Sequence, residues 1–267
     1  MDADWPGQPP DYSTPPRGEL TVAQVAAMID HSLLRPELTL DDVTVGCEIA
    51  ATHEVKSVCC KPADVIHAGR VLAGTQVLVG TVVGFPHGSS TIETKAFEAR
   101  NALDNGAREL DMVINIGRLR GGDHAYVAND IRAIVEVAAT GGALVKVIFE
   151  NAYLTDDEKV AACHLTEEAG ADFVKTSTGF AATGATMEDL ILMRNSVGPA
   201  MQVKAAGGVR TLDTMLAMVA IGVSRFGATA TVVMLADAEE RAAIGDLRVP
   251  SAQAAVAEAV SADSHQY

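Results

Sequence analysis

The feature that most constrains this chain is a beat that sets in at residue 19. A short β-branched run is followed by polar or glycine residues, then by an amphipathic stretch that closes on glycine. The apolar runs cover residues 27–33, 55–60, 77–83, 109–115, 144–149, 172–176, 202–205 and 224–227, eight in all. Gly74, Gly106, Gly141, Gly170, Gly198 and Gly222 fall where a left-handed C′ residue would end each helix. Their spacings of 32, 35, 29, 28 and 24 residues are the length of one strand–helix unit.

Strands that alternate with helices form a parallel sheet joined by right-handed crossovers. Eight units in roughly 230 residues fit a (β/α)8 TIM barrel, which typically takes about 250. The helix starts carry their own signals. Ser90-Thr91-Ile92-Glu93 and Thr155-Asp156-Asp157-Glu158 fit a capping box, and Thr39 with Asp42 and Thr186 with Asp189 are weaker versions. Residues 1–19 hold five of the ten prolines and few apolar side chains, so they read as a disordered arm. The expected organisation is this arm, a single barrel domain over residues 20–245, and a C-terminal helix or flexible tail over 246–267.

Composition narrows the function. Thirty-five acids against 20 bases give a net charge of −15, which disfavours nucleic acid and anionic membranes as partners. The start of the chain has Asp2 and Asp4 where a signal peptide needs positive charge, and no apolar run is long enough to span a bilayer. Cysteines are few, with no Cys-x-x-Cys pair, so the expectation is a reduced, cytoplasmic protein without structural zinc.

Against this background three lysines stand out. Val145-Lys146, Val174-Lys175 and Val203-Lys204 repeat one dipeptide at intervals of 29 residues, which puts them at equivalent places on runs five, six and seven. A doubly wound open sheet, the competing architecture, would bury them under its helices. A barrel can aim them toward its C-terminal mouth. A single strand lysine more often points outward with its stem on apolar surface, but parallel strands covered on both faces offer no such surface to three. An ammonium beside another ammonium, partly buried, loses its proton more easily than one in water, and the amine that results can attack a carbonyl to form a Schiff base. Asp111, an acid within the fourth run, is costly to bury unless paired. It is expected to handle protons, the plain alternative being a structural ion pair. Asp30 on the first run and Cys59 at the end of the second are supporting candidates. Cys59 has no evident base to activate it.

Glycine-rich segments follow the last three runs: Lys175-Thr176-Ser177-Thr178-Gly179, Ala206-Gly207-Gly208-Val209-Arg210 and Phe226-Gly227-Ala228-Thr229. Loops after strands 7 and 8 often hold phosphate in such barrels, although glycines also serve plain turns. The chain has no G-x-G-x-x-G after the first run, no G-x-x-x-x-G-K-[ST] and no H-E-x-x-H, and no metal site is expected. Among seven histidines, His87 in Gly84-Phe85-Pro86-His87-Gly88 is the one placed to matter, as a loop support.

The motifs Asp30-His31-Ser32-Leu33-Leu34, Val83-Gly84-Phe85-Pro86-His87-Gly88, Glu109-Leu110-Asp111-Met112-Val113-Ile114-Asn115, the run from Ala169 to Gly179 and the run from Val203 to Thr211 occur in order between residues 28 and 230. In these the chain resembles the deoxyribose-phosphate aldolases. The resemblance implies a class I, cofactor-free and metal-independent lyase. Its reaction would be the reversible cleavage of 2-deoxy-D-ribose 5-phosphate to acetaldehyde and D-glyceraldehyde 3-phosphate. It also implies that Lys175 is the Schiff-base lysine, that Lys204 lowers its pKa and relays protons, and that Asp111 gives and takes protons through a water. Lys146 would support the network, and Gly179, Gly207, Gly208, Gly227 and Thr229 would surround the phosphate. One position departs from the family, whose last strand often ends in two serines where Ala230 stands here.

Three other functions remain open on the residues alone. One is an aldolase for another small sugar. Another is a phosphosugar isomerase, which would leave the paired lysines unexplained. The third is a sugar-phosphate binder with no catalysis. Barrels of this kind commonly pair through their outer helices, so a homo-oligomer, dimer or tetramer, is expected. Tyr267 at the chain end is a candidate to fold over the mouth, the alternative being an end with no role.

Overall fold

The structure is a computed structural model that describes residues 17–263, with side chains to residue 257. Most of the expected arm and Tyr267 lie outside the described residues. Eight parallel strands close into a barrel in sequence order. They are β1 (Ile29–Leu33), β2 (Ser57–Cys60), β3 (Leu78–Val83), β4 (Glu109–Val113), β5 (Leu144–Ile148), β6 (Phe173–Lys175), β7 (Gln202–Ala206) and β8 (Arg225–Ala228). The helices are α1 (Val22–Ala26), α2 (Leu40–Thr52), α3 (Val65–Val71), α4 (Ile92–Asp104), α5 (Ile116–Arg120), α6 (His124–Gly141), α7 (Asp156–Glu168), α8 (Met187–Asn195), α9 (Leu212–Ala220), α10 (Thr231–Ala243) and α11 (Ala252–Asp263). Of these, α1 precedes the barrel, α11 follows it, and α5 is an extra turn before α6.

Period-2 alternation divides each strand between two environments. Val58, Val79, Leu110, Met112, Val145, Val147, Val174, Val203 and Phe226 face outward into one continuous apolar core beneath the helices. The positions between them (Asp30, Ser57, Glu109, Asp111, Lys146, Phe173, Lys175, Lys204 and Arg225) are equally buried, and they fill the lumen. That division is why a barrel tolerates charges in its strands where an open sheet would not.

Local signals set most element ends. Thr39 and Thr155 each close a full capping box, with Asp42 and Glu158. At α4 the cap is Thr91 rather than Ser90, because its hydroxyl is the one that accepts from the N–H of Thr94. The left-handed residue after α6 is Gly142 rather than Gly141, since the helix runs one residue further before it turns. Gly198 ends no helix in this way. Its N–H donates to Glu167 at 2.9 Å, and a Cβ there would meet that carboxylate at 2.7 Å. Residues 18–20 run against 247–249, through an antiparallel bridge of Glu19 with Arg248 and a bond from Leu20 N–H to the Leu247 carbonyl at 2.9 Å.

His31 ties β1 to the start of α10, its Nδ1 lying 2.8 Å from the Thr231 hydroxyl. Burial, with a smaller push from His53, lowers the imidazole from 6.5 to about 4. Between those values the unfolded chain binds the proton and the folded one does not. The stability His31 contributes is therefore full above pH 6.5 and drains as the pH falls toward 4. Urea unfolding at pH 7.5 and 5.5 should differ by roughly 1 kcal/mol from this group. His31→Gln should remove that part of the difference, and an unchanged pH slope in the variant would exclude the assignment.

Candidate active site

The lumen holds one continuous charged network. Asp111 on β4 lies at its centre, fully buried. Its Oδ2 accepts from Lys175 at 2.6 Å and from Lys204 at 2.7 Å, and its Oδ1 accepts from Lys146 at 2.8 Å. Asp30 on β1 accepts from Lys204 at 2.5 Å, from Arg225 at 2.5 Å and from the Ser57 hydroxyl at 2.7 Å. Lys146 also lies 3.3 Å from Asp30. Glu109, two residues before Asp111 and so on the same strand face, binds Lys146 at 2.6 Å and Arg225 at 3.2 Å.

The lysines do not stand at one level. Lys175 faces Lys204 directly across the β6–β7 pairing, whereas Lys146 faces Phe173, two residues deeper than Lys175. Equal spacing in sequence counts loop residues as well as strand residues, so it does not fix the register. In consequence Lys175 and Lys204 share one oxygen of Asp111 and Lys146 takes the other.

Burial opposes every charge here, and the partners decide which groups keep theirs. For Asp111, burial is outweighed by Lys146, Lys175 and Lys204, which hold the carboxyl below its usual range. For Asp30, burial is outweighed by Arg225, Lys146 and Lys204. Burial would lower Lys146, but Asp111, Asp30 and Glu109 raise it well above an ordinary lysine, and Asp111 and Asp30 raise Lys204 in the same way. Lys175 goes the other way. Burial lowers it, Asp111 only partly compensates, and Lys204 lowers it further. It has a single carboxylate partner, so of the three lysines it alone is shifted toward the neutral amine. Desolvation is the larger cause and the neighbouring ammonium the smaller.

Cys59 is buried on β2 near these groups, its thiol pushed up to about 11 by burial and by Asp111. At neutral pH it is a thiol and not a nucleophile. His87 is exposed on the loop after β3. With Pro86, Glu150, Thr178 and Phe180 it lines a cavity of about 240 Å3 at the C-terminal mouth. A larger cavity of about 870 Å3 lies at the opposite end, between Arg194, Gln202, Ser224 and Val249. It is remote from the lysines, so size alone does not mark the site.

The expected phosphate loops lie together. Gly179, Gly207 and Gly208 have φ of +88°, +80° and +87°. A Cβ on Gly207 would come within 2.9 Å of Gly184 Cα and 3.7 Å of Gly179 Cα, so these loops run backbone against backbone. Gly227 stands over the network, where a Cβ would lie 3.6 Å from Lys204 Cε and 3.2 Å from Ala206 Cβ. Thr229 is exposed just before α10. The N-cap of that helix is Ala230, which offers no side-chain hydrogen bond, so its first N–H groups have no cap.

Glu109, Arg225 and Ser57 were not singled out in the sequence. The signal for the first two was present, since each is a charge inside a strand run, the same sign that identified the lysines. Among the described residues no group of three His, Cys, Asp or Glu side chains is arranged to hold a metal ion. The three lumen carboxylates are each engaged by lysine or arginine.

A parallel eight-stranded barrel with an amine and its shared carboxylate under the C-terminal mouth defines a lyase of the aldolase type. The description "DeoC/LacD family aldolase" matches residues 24–233, and the chain belongs to that family. It is 53% identical over 216 residues to the deoxyribose-phosphate aldolase of Bacillus mycoides (strain KBAB4), covering 80% of this chain and 96% of that one. It is 50% identical over 211 residues to that of Clostridium perfringens (strain 13 / Type A), covering 79% and 94%. Among solved structures, the tetrameric deoxyribose phosphate aldolase of Aeropyrum pernix superposes with a TM-score of 0.75 at 29% identity, covering 82% of this chain and 92% of that one.

Proposed function

We propose that the protein is a deoxyribose-phosphate aldolase that reversibly cleaves 2-deoxy-D-ribose 5-phosphate through a Schiff base on Lys175. The observation that carries this is the single carboxylate contact of Lys175 in a lumen where Lys146 has three such contacts and Lys204 two. The amine adds to the sugar's C1 carbonyl. With a proton from the Lys204 ammonium, water leaves and the iminium forms. The amine of Lys204 then takes the C3 hydroxyl proton as the C2–C3 bond breaks. Glyceraldehyde 3-phosphate departs, and the electron pair passes into the iminium to give an enamine. Lys204 returns its proton to C2, and hydrolysis frees acetaldehyde and the Lys175 amine. One proton shuttles throughout, so the buried charge stays constant.

In this scheme Asp111 acts with Lys204 rather than alone. A carboxylate held low by three ammonium groups is a weak base, so its part is to orient the lysine at 2.7 Å and relay through a water. Lys146 and Asp30 fix that carboxylate and that lysine from below. The loops bearing Gly179, Gly207, Gly208, Gly227 and Thr229 receive the phosphate on backbone N–H groups. The test is borohydride reduction in the presence of acetaldehyde, with the modified residue located by mass. An N-ethyl group on Lys175 supports the reading, and no adduct in folded protein would sink it.

Ala230 bears on substrate choice. Ala230→Ser adds a hydroxyl that caps α10 and donates to phosphate. KM for the phosphorylated sugar should fall by roughly 2- to 10-fold, with KM for unphosphorylated deoxyribose unchanged. Equal changes in both would place the residue away from the phosphate.

No described helix is long and apolar enough to cross a membrane. We read the enzyme as a cytoplasmic homo-oligomer engaged in deoxyribonucleotide and carbohydrate catabolism. This rests on its acidic composition, its proposed substrate and the tetrameric Aeropyrum relative.

A further inference from the structure

Beneath the reacting groups lies a second tier that the chemistry above does not use. Arg225, the first residue of β8, is fully buried. Its guanidinium binds Asp30 Oδ1 at 2.5 Å and both Glu109 oxygens at 3.2 and 3.3 Å, and it lies over the Phe173 ring at 5.4 Å from the centroid. Asp30 is shared with Lys204 and Glu109 with Lys146, so the guanidinium charge reaches Asp111 and Lys175 through these carboxylates.

Counting charges shows what it does. The lumen network comprises Lys146, Lys175, Lys204 and Arg225 against Asp30, Glu109 and Asp111. Four bases face three acids. An arginine does not give up its proton in a protein, so the surplus must fall on a lysine, and Lys175 has the fewest carboxylate contacts. Without Arg225 the count would be three against three, and every lysine would have a carboxylate to match. We propose that Arg225 is a positioning residue which, by engaging Asp30 and Glu109, leaves Asp111 shared among three lysines and so frees the Lys175 amine. This deepens the Schiff-base reading and rests on it. Asp111 on β4, Lys204 on β7 and Cys59 on β2 act most strongly on Lys175, and Asp172, just before β6, acts on Lys146 and Glu109 while its carboxylate accepts from the Val145 N–H. Arg225 and Glu109 reach Lys175 through Asp30, Lys204 and Lys146, one step removed.

The experiment is the pH dependence of acetaldehyde trapping and of kcat in the wild type, Arg225→Met, Arg225→Lys and the double variant Arg225→Met/Glu109→Gln. Removing the arginine charge should move the acid limb of both profiles upward by about one pH unit or more, with activity recovering at high pH. Arg225→Lys keeps the count only while the new ammonium holds its proton, which an arginine never releases, so its limb should lie between those of the wild type and Arg225→Met. The double variant restores a surplus of one cation, three against two, and should bring the limb back even if the single variant is poorly stable. A merely structural arginine would lower activity by the same factor at every pH, and the second substitution would not recover it. That result, or an acid limb in folded Arg225→Met superimposable on the wild type, overturns the proposal. Failure of the underlying reading is distinct, since it would appear as no adduct on Lys175 of the wild type at any pH.

Discussion

Lys175→Ala should abolish the trapped acetaldehyde adduct and lower kcat by about 10^4-fold or more, because the covalent electron sink is lost and only binding and proton transfer remain. Lys204→Leu should behave differently. The nucleophile is still present, 2.6 Å from Asp111, so the adduct should still map to Lys175. Its formation should need higher pH, because the neighbour that lowers Lys175 is gone. Turnover should drop by roughly 10^2- to 10^4-fold, the usual worth of a positioned acid–base group. Comparing the two variants separates nucleophile from proton carrier. An adduct that migrates to Lys204 in Lys175→Ala, with turnover retained, would reverse the two roles.

The barrel was legible in the sequence because its beat is local. Each strand run is short and apolar and most of the longer helices have a threonine at the N-cap, so the eight strands fall within the eight runs to within a residue or two. What was not legible depended on pairing. The registers of β5 with β6 and of β6 with β7 set Lys146 deeper than its fellows, and no spacing in the chain encodes that offset. The caps at Thr91 and Gly142 shifted by one residue for a similar reason, since adjacent candidates differ only in which one the fold can use. Lys175, Lys204 and Asp111 could be found because charges in buried strands are rare. Glu109 and Arg225 obey the same rule, yet their meaning appears only once the closed barrel brings β1, β4 and β8 onto one network.

Stability and function should separate at this network. Asp111→Leu removes the carboxylate that three lysines share and leaves four bases against Asp30 and Glu109. Breaking a buried ion network by removing one partner typically costs about 3–5 kcal/mol, which for a barrel of this size corresponds to a fall in Tm of roughly 10 °C. Lys175→Met should do the opposite. It deletes the one lysine of the lumen network whose proton the fold holds less tightly than water does. At neutral pH the unfolded chain carries that proton at no cost, whereas the folded chain must either bear an unmatched ammonium or lose it. Lys175→Met should therefore match or exceed the wild type in urea unfolding at pH 7, while having no detectable turnover. The advantage should shrink as the pH rises toward the ordinary lysine value, where the unfolded chain also releases the proton. A Lys175→Met protein less stable than the wild type at pH 7 would mean that Lys175 is held as a paired ammonium and that the surplus charge resides elsewhere in the lumen.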